Sequence, residues 1–292
     1  MFTVNLYQVC KSLTATKRGA TIDDIKLNND ITMPRLGLGT WRIDDGDSVV
    51  EAVTTAIDSG YRMIDTASIY ENEEGVGRAI RDSSVPRDEL FVTTKLWNDD
   101  QGFDQAIAGY EASLERLGLD YVDLYLIHWP DPQAGKFIDS WRALEQLQAD
   151  ERVRAIGVSN FKPHHLEQLL EATDVVPAVN QIELHPRFAQ PDTRQFCENH
   201  GIQVESYSPL MRAGELLQNN RLQMIADAYD KTVAQVVIRW HLQHDLVVIP
   251  KSSNPQRIAE NFDVFDFTLS AEEMGDIDQL DDGNRIGSDP DA

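Results

Sequence analysis

A (β/α)8 barrel is the fold this sequence predicts, on three observations. From about residue 21, strand-like apolar runs alternate with helix-like stretches, the pattern of βα units around a parallel sheet. The runs number eight in about 250 residues, which is the length such a barrel needs. Three successive runs end in a titratable residue: Tyr-Arg-Met-Ile-Asp65, Phe-Val-Thr-Thr-Lys95 and Val-Asp-Leu-Tyr-Leu-Ile-His128. Active sites of this fold lie at the C-terminal ends of its strands, and consecutive strands are neighbours, so these three side chains converge on one mouth. A doubly wound sheet is the alternative on pattern alone.

In chain order, residues 1–20 contain no acid and place Lys11, Lys17 and Arg18 among Ser and Thr. They loosely resemble a transit peptide, but Asn5 and Gln8 break any secretory apolar core. They are read as a disordered extension or an early start, ahead of a single domain over 21–292. Ile25 to Met33 reads as a hairpin turning at Asn28-Asn29-Asp30, placed across the barrel bottom. The strands expected next are Arg35–Gly37, Arg62–Asp65, Phe91–Lys95, Val122–His128, Val153–Val158, Ala178–Glu183, Ile202–Ser206 and Val247–Pro250. Helical spacing of apolar residues marks Ser48–Ser59 and Phe103–Leu117, closed by Gly60 and Gly118 as C-caps, and the shorter Trp141–Leu147 and Leu166–Leu170. No Pro/Gly/Ser-rich linker divides the chain.

Composition narrows the function. The chain has 292 residues, 41% of them apolar, and no run near 18 apolar residues, so no membrane span is expected. A net charge of −23 argues against nucleic acid and anionic membranes as partners. The acids are 31 Asp to 18 Glu and the bases 8 Lys to 18 Arg, a surface suited to concentrated salt or simply to a soluble acidic protein. Cys10 and Cys197 form no CxxC pair, which fits a reducing cytoplasm. Neither His164-His165 nor His241 with His244 makes a metal motif, so no metal is expected.

Tyr70 follows Asp65 by five residues. A phenol with a pKa near 10 donates protons poorly at neutral pH. A lysine ammonium about 4 Å away attracts the phenolate by roughly 4 kcal/mol at an effective dielectric of ~20, or about 3 pK units before desolvation is deducted. Lys95 is expected to act so on Tyr70, with Asp65 holding the lysine charged and His128 orienting a carbonyl oxygen. Such a group protonates an oxygen as negative charge develops on it, which is the chemistry of carbonyl reduction.

From about Ile22 onward the chain resembles the aldo-keto reductase superfamily, most closely the small microbial reductases of the 2,5-diketo-gluconate reductase type. The resemblance rests on Gly37-Leu38-Gly39-Thr40-Trp41, Gly60-Tyr61-Arg62-Met63-Ile64-Asp65-Thr66-Ala67, Tyr70-Glu71-Asn72-Glu73, Lys95-Leu96-Trp97, Asp123 to Pro130, Gly157-Val158-Ser159-Asn160-Phe161 and Pro250-Lys251-Ser252, in order. It implies NADPH or NADP as cofactor and a catalytic tetrad of Asp65, Tyr70, Lys95 and His128. It implies that Ser159, Asn160 and Gln181 hold the nicotinamide carboxamide and that Tyr207 stacks on the ring. It places Lys251, Ser252, Ser253 and Arg257 at the 2′-phosphate, Glu260 and Asn261 at the adenine, and Gly39, Thr40, Asp65, Ser208 and Leu210 along the rest of the cofactor.

Trp41, Trp97 and Trp129 each follow a strand end and are expected to line a substrate pocket with His128. Trp141 and Trp240, on helices, are expected to pack. Gly37 to Arg42 lacks the third glycine of a dinucleotide fingerprint, and Gly75-Val76-Gly77 reads as close helix packing. Pro209-Leu210-Met211-Arg212-Ala213-Gly214 departs from the commoner Pro-Leu-Gly start of the cofactor-covering loop. The expected protein is a cytoplasmic, monomeric NADPH-dependent reductase of small carbonyl compounds. The alternative is a regulatory protein on the same fold that binds cofactor with little turnover.

Overall fold

The computed structural model describes residues 24–292; the extension expected over 1–20 and the first residues of the expected domain lie outside the described residues. A hairpin of β1 (Ile25–Lys26) and β2 (Thr32–Met33) precedes the barrel strands. These are β3 (Leu38–Gly39), β4 (Met63–Asp65), β5 (Phe91–Leu96), β6 (Val122–Ile127), β7 (Val153–Ser159), β8 (Val179–Glu183), β9 (Gln203–Tyr207) and β10 (Val247–Val248). They pair in parallel in chain order as one eight-stranded sheet. Parallel bridges from Leu36 to Val248 and from Gly39 to Lys251 join the first strand to the last and close the barrel.

The helices are α1 (Asp47–Ser59), α2 (Glu73–Asp82), α3 (Phe103–Leu117), α4 (Phe137–Ala149), α5 (Pro163–Ala172), α6 (Pro191–Asn199), α7 (Asn220–Ala228), α8 (Val233–Gln243), α9 (Pro255–Phe262) and α10 (Ala271–Asp278). Gly60 and Gly118 close α1 and α3 with φ of +110° and +61°, a conformation that costs glycine no Cβ clash. A Cβ on Gly77 would meet the Leu117 carbonyl oxygen at 1.8 Å, so α2 can lie against the end of α3 only because this residue is glycine.

Two apolar cores result. One fills the space between sheet and helices and includes Trp141 and Trp240, both fully buried on helices as expected. The other fills the barrel itself with Met63, Phe91, Leu124, Leu126, Val179 and Val247, and Leu27 and Met33 belong to it. The hairpin therefore plugs the barrel. Apolar side chains thus fill this part of the barrel, while the strand ends carry buried polar residues such as Asp65, Lys95 and Gln181.

The first barrel strand differs from expectation, being Leu38–Gly39 rather than Arg35–Gly37. Residues 35–39 serve two neighbours in turn: Arg35 and Gly37 bond to Val248, and only 38–39 reach β4. The two shorter helices extend past their apolar cores to Phe137–Ala149 and Pro163–Ala172, since polar turns at each end carry no periodic signal.

Candidate active site

Lys95 is fully buried near the end of β5, an expensive place for a charge unless it is paired. Its Nζ donates to Asp65 Oδ1 at 2.6 Å and to the Thr66 carbonyl at 2.8 Å. Asp65 is available because β4 is the next strand and ends there. Tyr70 sits on a 3-10 turn, Ser68–Tyr70, that leaves β4. Ser68 Oγ donates to the Lys95 carbonyl at 3.0 Å, and Asn72 Nδ2 donates to the carbonyls of Thr40 and Ile43 at 3.0 and 2.9 Å. Buried Glu73 accepts from Thr94 Oγ1 at 2.6 Å. These bonds hold the turn so that Lys95 Nζ lies 5.1 Å from the centre of the Tyr70 ring. His128, just after β6, stands edge-on to Tyr70 and to Trp97, with ring centres 5.6 and 5.3 Å away.

The electrostatics assign the protons. Burial, and then the Lys95 charge, hold His128 well below the usual imidazole range, so the ring is neutral at physiological pH. Its Nδ1 is buried without a hydrogen-bond partner among the described residues. Burial works against the charge on Lys95, but Asp65 and the Tyr70 oxygen outweigh it and the ammonium persists. The expectation of an acidified phenol needs correction. Burial raises the Tyr70 pKa and outweighs the opposing pull of Lys95, so the resting phenol firmly keeps its proton. Lys95 reduces the cost of losing that proton without making the phenol acidic.

The neighbouring strand ends carry a connected polar cluster. Ser159 Oγ donates to the Gln181 carbonyl at 2.9 Å, Asn160 Nδ2 donates to the His128 carbonyl at 2.9 Å, and the Tyr207 hydroxyl donates to Asn160 Oδ1 at 2.8 Å. Asn160 and Ser208 sit at φ +65° and +50°, turning the chain sharply at the mouth. Thr40 Oγ1 donates to the Asp65 carbonyl at 2.9 Å, beside Gly39. Across the barrel seam, Lys251 and Ser253 are exposed and Ser252 is buried, just before α9. Asn254 caps α9 by accepting the Arg257 N–H at 3.0 Å, and α9 carries exposed Arg257, half-buried Glu260 and buried Asn261.

Of the three tryptophans, Trp97 meets the tetrad. Trp41 carries Arg42 and Arg212 against its ring at 4.3 and 5.0 Å, and Trp129 is held through its carbonyl by Gln101. Among the described residues neither forms a ring pair with Tyr70 or His128, as Trp97 does with His128. Leu210 is partly buried at the start of the loop whose motif departs from the usual one. Met211, Arg212 and Ala213 there have φ of +48°, +55° and +59°, which sets Arg212 against Trp41.

The sequence over residues 35–282 matches the Aldo/keto reductase family. This chain belongs to the aldo/keto reductase family. It is 54% identical over 269 residues to a glyoxal reductase of Bacillus subtilis, covering 92% of this chain and 96% of that protein. It is 50% identical over 268 residues to the methylglyoxal reductase DkgA of Salmonella typhimurium, covering 91% and 96%. Among solved structures, a mutant of Gox0644 in complex with NADPH superposes with a TM-score of 0.89 at 48% identity, covering 93% of this chain and 98% of that one. An aldo-keto reductase from a deep-sea metagenome library gives 0.88 at 47%, covering 92% and 98%. These likenesses fix the fold as a (β/α)8 barrel.

Two features of this aldo/keto reductase are absent from the sequence expectations. Glu205 is a fully buried carboxyl at the site, bonded to Gln181. A signal for it exists: two residues before Tyr207 on one strand, it shares the inward face. The C-terminal tail is bound as well, with Glu183 accepting the N–H groups of Ile286 and Gly287 at 2.6 and 2.7 Å. Further along, His164 and His165 both approach Asp291 Oδ1 at 3.0 Å. Lys162 already neutralises that carboxylate at 2.7 Å, and the bond from the Lys162 N–H to His165 Nδ1 leaves the proton on His165 Nε2. Lys162, His164 and Asp291 thus clamp the tail.

Proposed function

We propose that this enzyme reduces small aldehydes and α-dicarbonyls to alcohols with NADPH, Tyr70 donating the proton. One observation carries the assignment: a protonated phenol, a neutral imidazole and a buried ammonium–carboxylate pair meet at one barrel mouth. Bound NADPH supplies a hydride to the carbonyl carbon. His128 donates a hydrogen bond to the carbonyl oxygen and aims it at Tyr70. The Tyr70 hydroxyl gives its proton to that oxygen as charge builds there, and Lys95 stabilises the phenolate left behind. Asp65 holds the ammonium in place for that moment.

The residues present fit the cofactor. Among the described residues, no carboxylate lies within ion-pair distance of Arg42, Arg212, Lys251 or Arg257. Four cations without an ion-pair partner, two of them stacked on Trp41, fit a polyanionic ligand in a chain of 49 acids and 26 bases. Lys251, Ser252, Ser253 and Arg257 would hold the 2′-phosphate, with Glu260 and Asn261 at the adenine. Gly39, Thr40, Ser208 and Leu210 would flank the middle of the cofactor. Ser159, Asn160 and Gln181 would hold the carboxamide beneath Tyr207, with Trp41, Trp97 and Trp129 lining the substrate side.

The glyoxal and methylglyoxal reductases among the relatives support the α-dicarbonyl class. Cys197 is a buried free thiol, which fits a cytoplasmic enzyme, and one chain supplies every group of the site, which fits a monomer. The test is a panel of methylglyoxal, simple aldehydes, keto-sugars and keto-acids, with NADPH and with NADH, following cofactor absorbance. Turnover that favours methylglyoxal with NADPH supports the reading. NADPH binding with no turnover of any carbonyl would replace it with a cofactor-binding regulator.

A further inference from the structure

The barrel holds a second carboxyl that none of these steps uses. Glu205 lies on β9, paired in register with Gln181 on β8 and Val247 on β10, and is fully buried. Gln181 Nε2 donates to Glu205 Oε2 at 2.9 Å and to Asp65 Oδ2 at 2.8 Å. One amide thus joins the carboxyl of the catalytic ion pair to a second carboxyl. Both amide hydrogens are spent, so the Gln181 flip is fixed and its Oε1 has no partner among the described residues. Glu205 Oε1 is also buried without a hydrogen-bond partner among the described residues.

The charge count in this layer decides the proton. Asp65 and Glu205, both ionised, would set two negative charges against the single ammonium of Lys95, away from water. Burial raises both carboxyls, but only Asp65 has the ammonium at 2.6 Å and accepts its hydrogen bond, so Asp65 keeps the charge and Glu205 takes the proton. We propose that Glu205 is a positioning residue for carbonyl reduction. As a neutral acid it locks Gln181 with Oε1 free to accept from the cofactor's carboxamide, and it leaves Asp65 as the sole counter-ion of Lys95. This rests on the carbonyl-reductase reading above.

The groups facing Glu205 are Asp65 from β4, Lys95 from β5 and Gln181 from β8, with Tyr70 beyond Lys95. Burial first, and then the Asp65 charge, push its carboxyl up to about 8 against the opposing effects of Gln181 and Lys95. Above that pH a second negative charge enters the layer. It tightens the hold of both Lys95 and Tyr70 on their protons, since each responds to Glu205. Reduction therefore declines on the alkaline side before either of them titrates.

Glu205→Gln keeps an acceptor for Gln181 and cannot ionise. At about pH 6.5 it should retain kcat/KM within about threefold, because a neutral acid and an amide act alike there. Between about pH 6.5 and 9.5 the wild type should lose roughly tenfold with an apparent pKa near 8, and Glu205→Gln should stay flat across that limb. Glu205→Leu, which frees the amide, should raise the KM for NADPH about tenfold at every pH with kcat within about threefold.

A second measurement needs no turnover. Cofactor-free wild type should show an infrared band of a protonated carboxyl at about pH 6.5 that fades above about pH 9 and is missing from Glu205→Gln. An alkaline limb unchanged in Glu205→Gln, or no such difference band, would overturn the proposal. A Glu205 band in a protein that turns over no carbonyl would instead refute the reductase reading and leave the proton on Glu205.

Discussion

Replacing Lys95 by methionine tests whether the buried pair serves chemistry, stability or both. Lys95 is 0% and Asp65 2% exposed, with Nζ and Oδ1 2.6 Å apart. Removing one member of such a pair costs about 3–5 kcal/mol, because the remaining charge is stranded until it takes up a proton. For a chain of this size that is a fall in Tm of roughly 6–15 °C. The effect on rate is separate. The ammonium lies 5.1 Å from the Tyr70 ring centre. At an effective dielectric of ~20, that distance gives an attraction to phenolate of about 3 kcal/mol, or roughly 10²-fold in rate.

The double variant Asp65→Asn/Lys95→Met separates the two effects. It removes both charges and should recover most of the lost Tm while leaving turnover as low as in Lys95→Met alone. The assay is a thermal melt of each protein and the single-turnover rate with saturating NADPH and methylglyoxal. A stable Lys95→Met enzyme, or a double variant with restored turnover, would refute the reasoning.

Three further outcomes follow. Arg257→Ala should weaken NADPH by roughly 10- to 150-fold, the worth of a charge-assisted phosphate contact of about 1.5–3 kcal/mol, and leave NADH unchanged; equal weakening of both in a binding titration would remove Arg257 from the phosphate. Glu205 starts from an ordinary carboxyl pKa and is raised to about 8 in the folded chain, so it binds a proton that the unfolded chain lacks. Stability from this group is present at low pH and is lost as pH rises from about 4.5 to about 8, so Glu205→Gln should gain on wild type in urea melts across that window, by up to about 4 kcal/mol near pH 7.5. With 49 acids against 26 bases, compaction brings like charges together, and shortening the screening length from about 10 Å at 0.1 M to about 3 Å at 1 M should raise Tm in potassium chloride; a flat Tm would mark the surface as an ordinary acidic one.

The barrel and the tetrad were legible because each strand end combines a long apolar run with one charged residue. Asp65, Lys95 and His128 stand out from Met-Ile, Val-Thr-Thr and Leu-Ile for that reason. Glu205 shares a face with Tyr207 two residues on, but that signal is weak, because Gln-Val-Glu-Ser-Tyr reads equally as an alternating strand with a solvent face. Only closure of the barrel makes both of its faces interior. The loop after Pro209 was obscure because Met211, Arg212 and Ala213 take left-handed conformations without glycine, which no turn signal announces. The net rise of the Tyr70 pKa also lay beyond the sequence, since a pairwise attraction can be guessed from residue types while burial depends on every neighbour. The tie from Glu183 to Ile286 and Gly287 joins segments far apart in the chain and has no local pattern.

The most direct test of the central claim is Tyr70→Phe, because the hydroxyl is the proposed proton donor and the cofactor's anchors lie elsewhere. With methylglyoxal and saturating NADPH in a chemistry-limited assay, turnover should fall by about 10²–10⁴-fold. NADPH affinity, read by fluorescence titration, should stay within about twofold, since no cofactor anchor is touched. A variant that kept a third of wild-type turnover would contradict the assignment of Tyr70 and with it the account of the site.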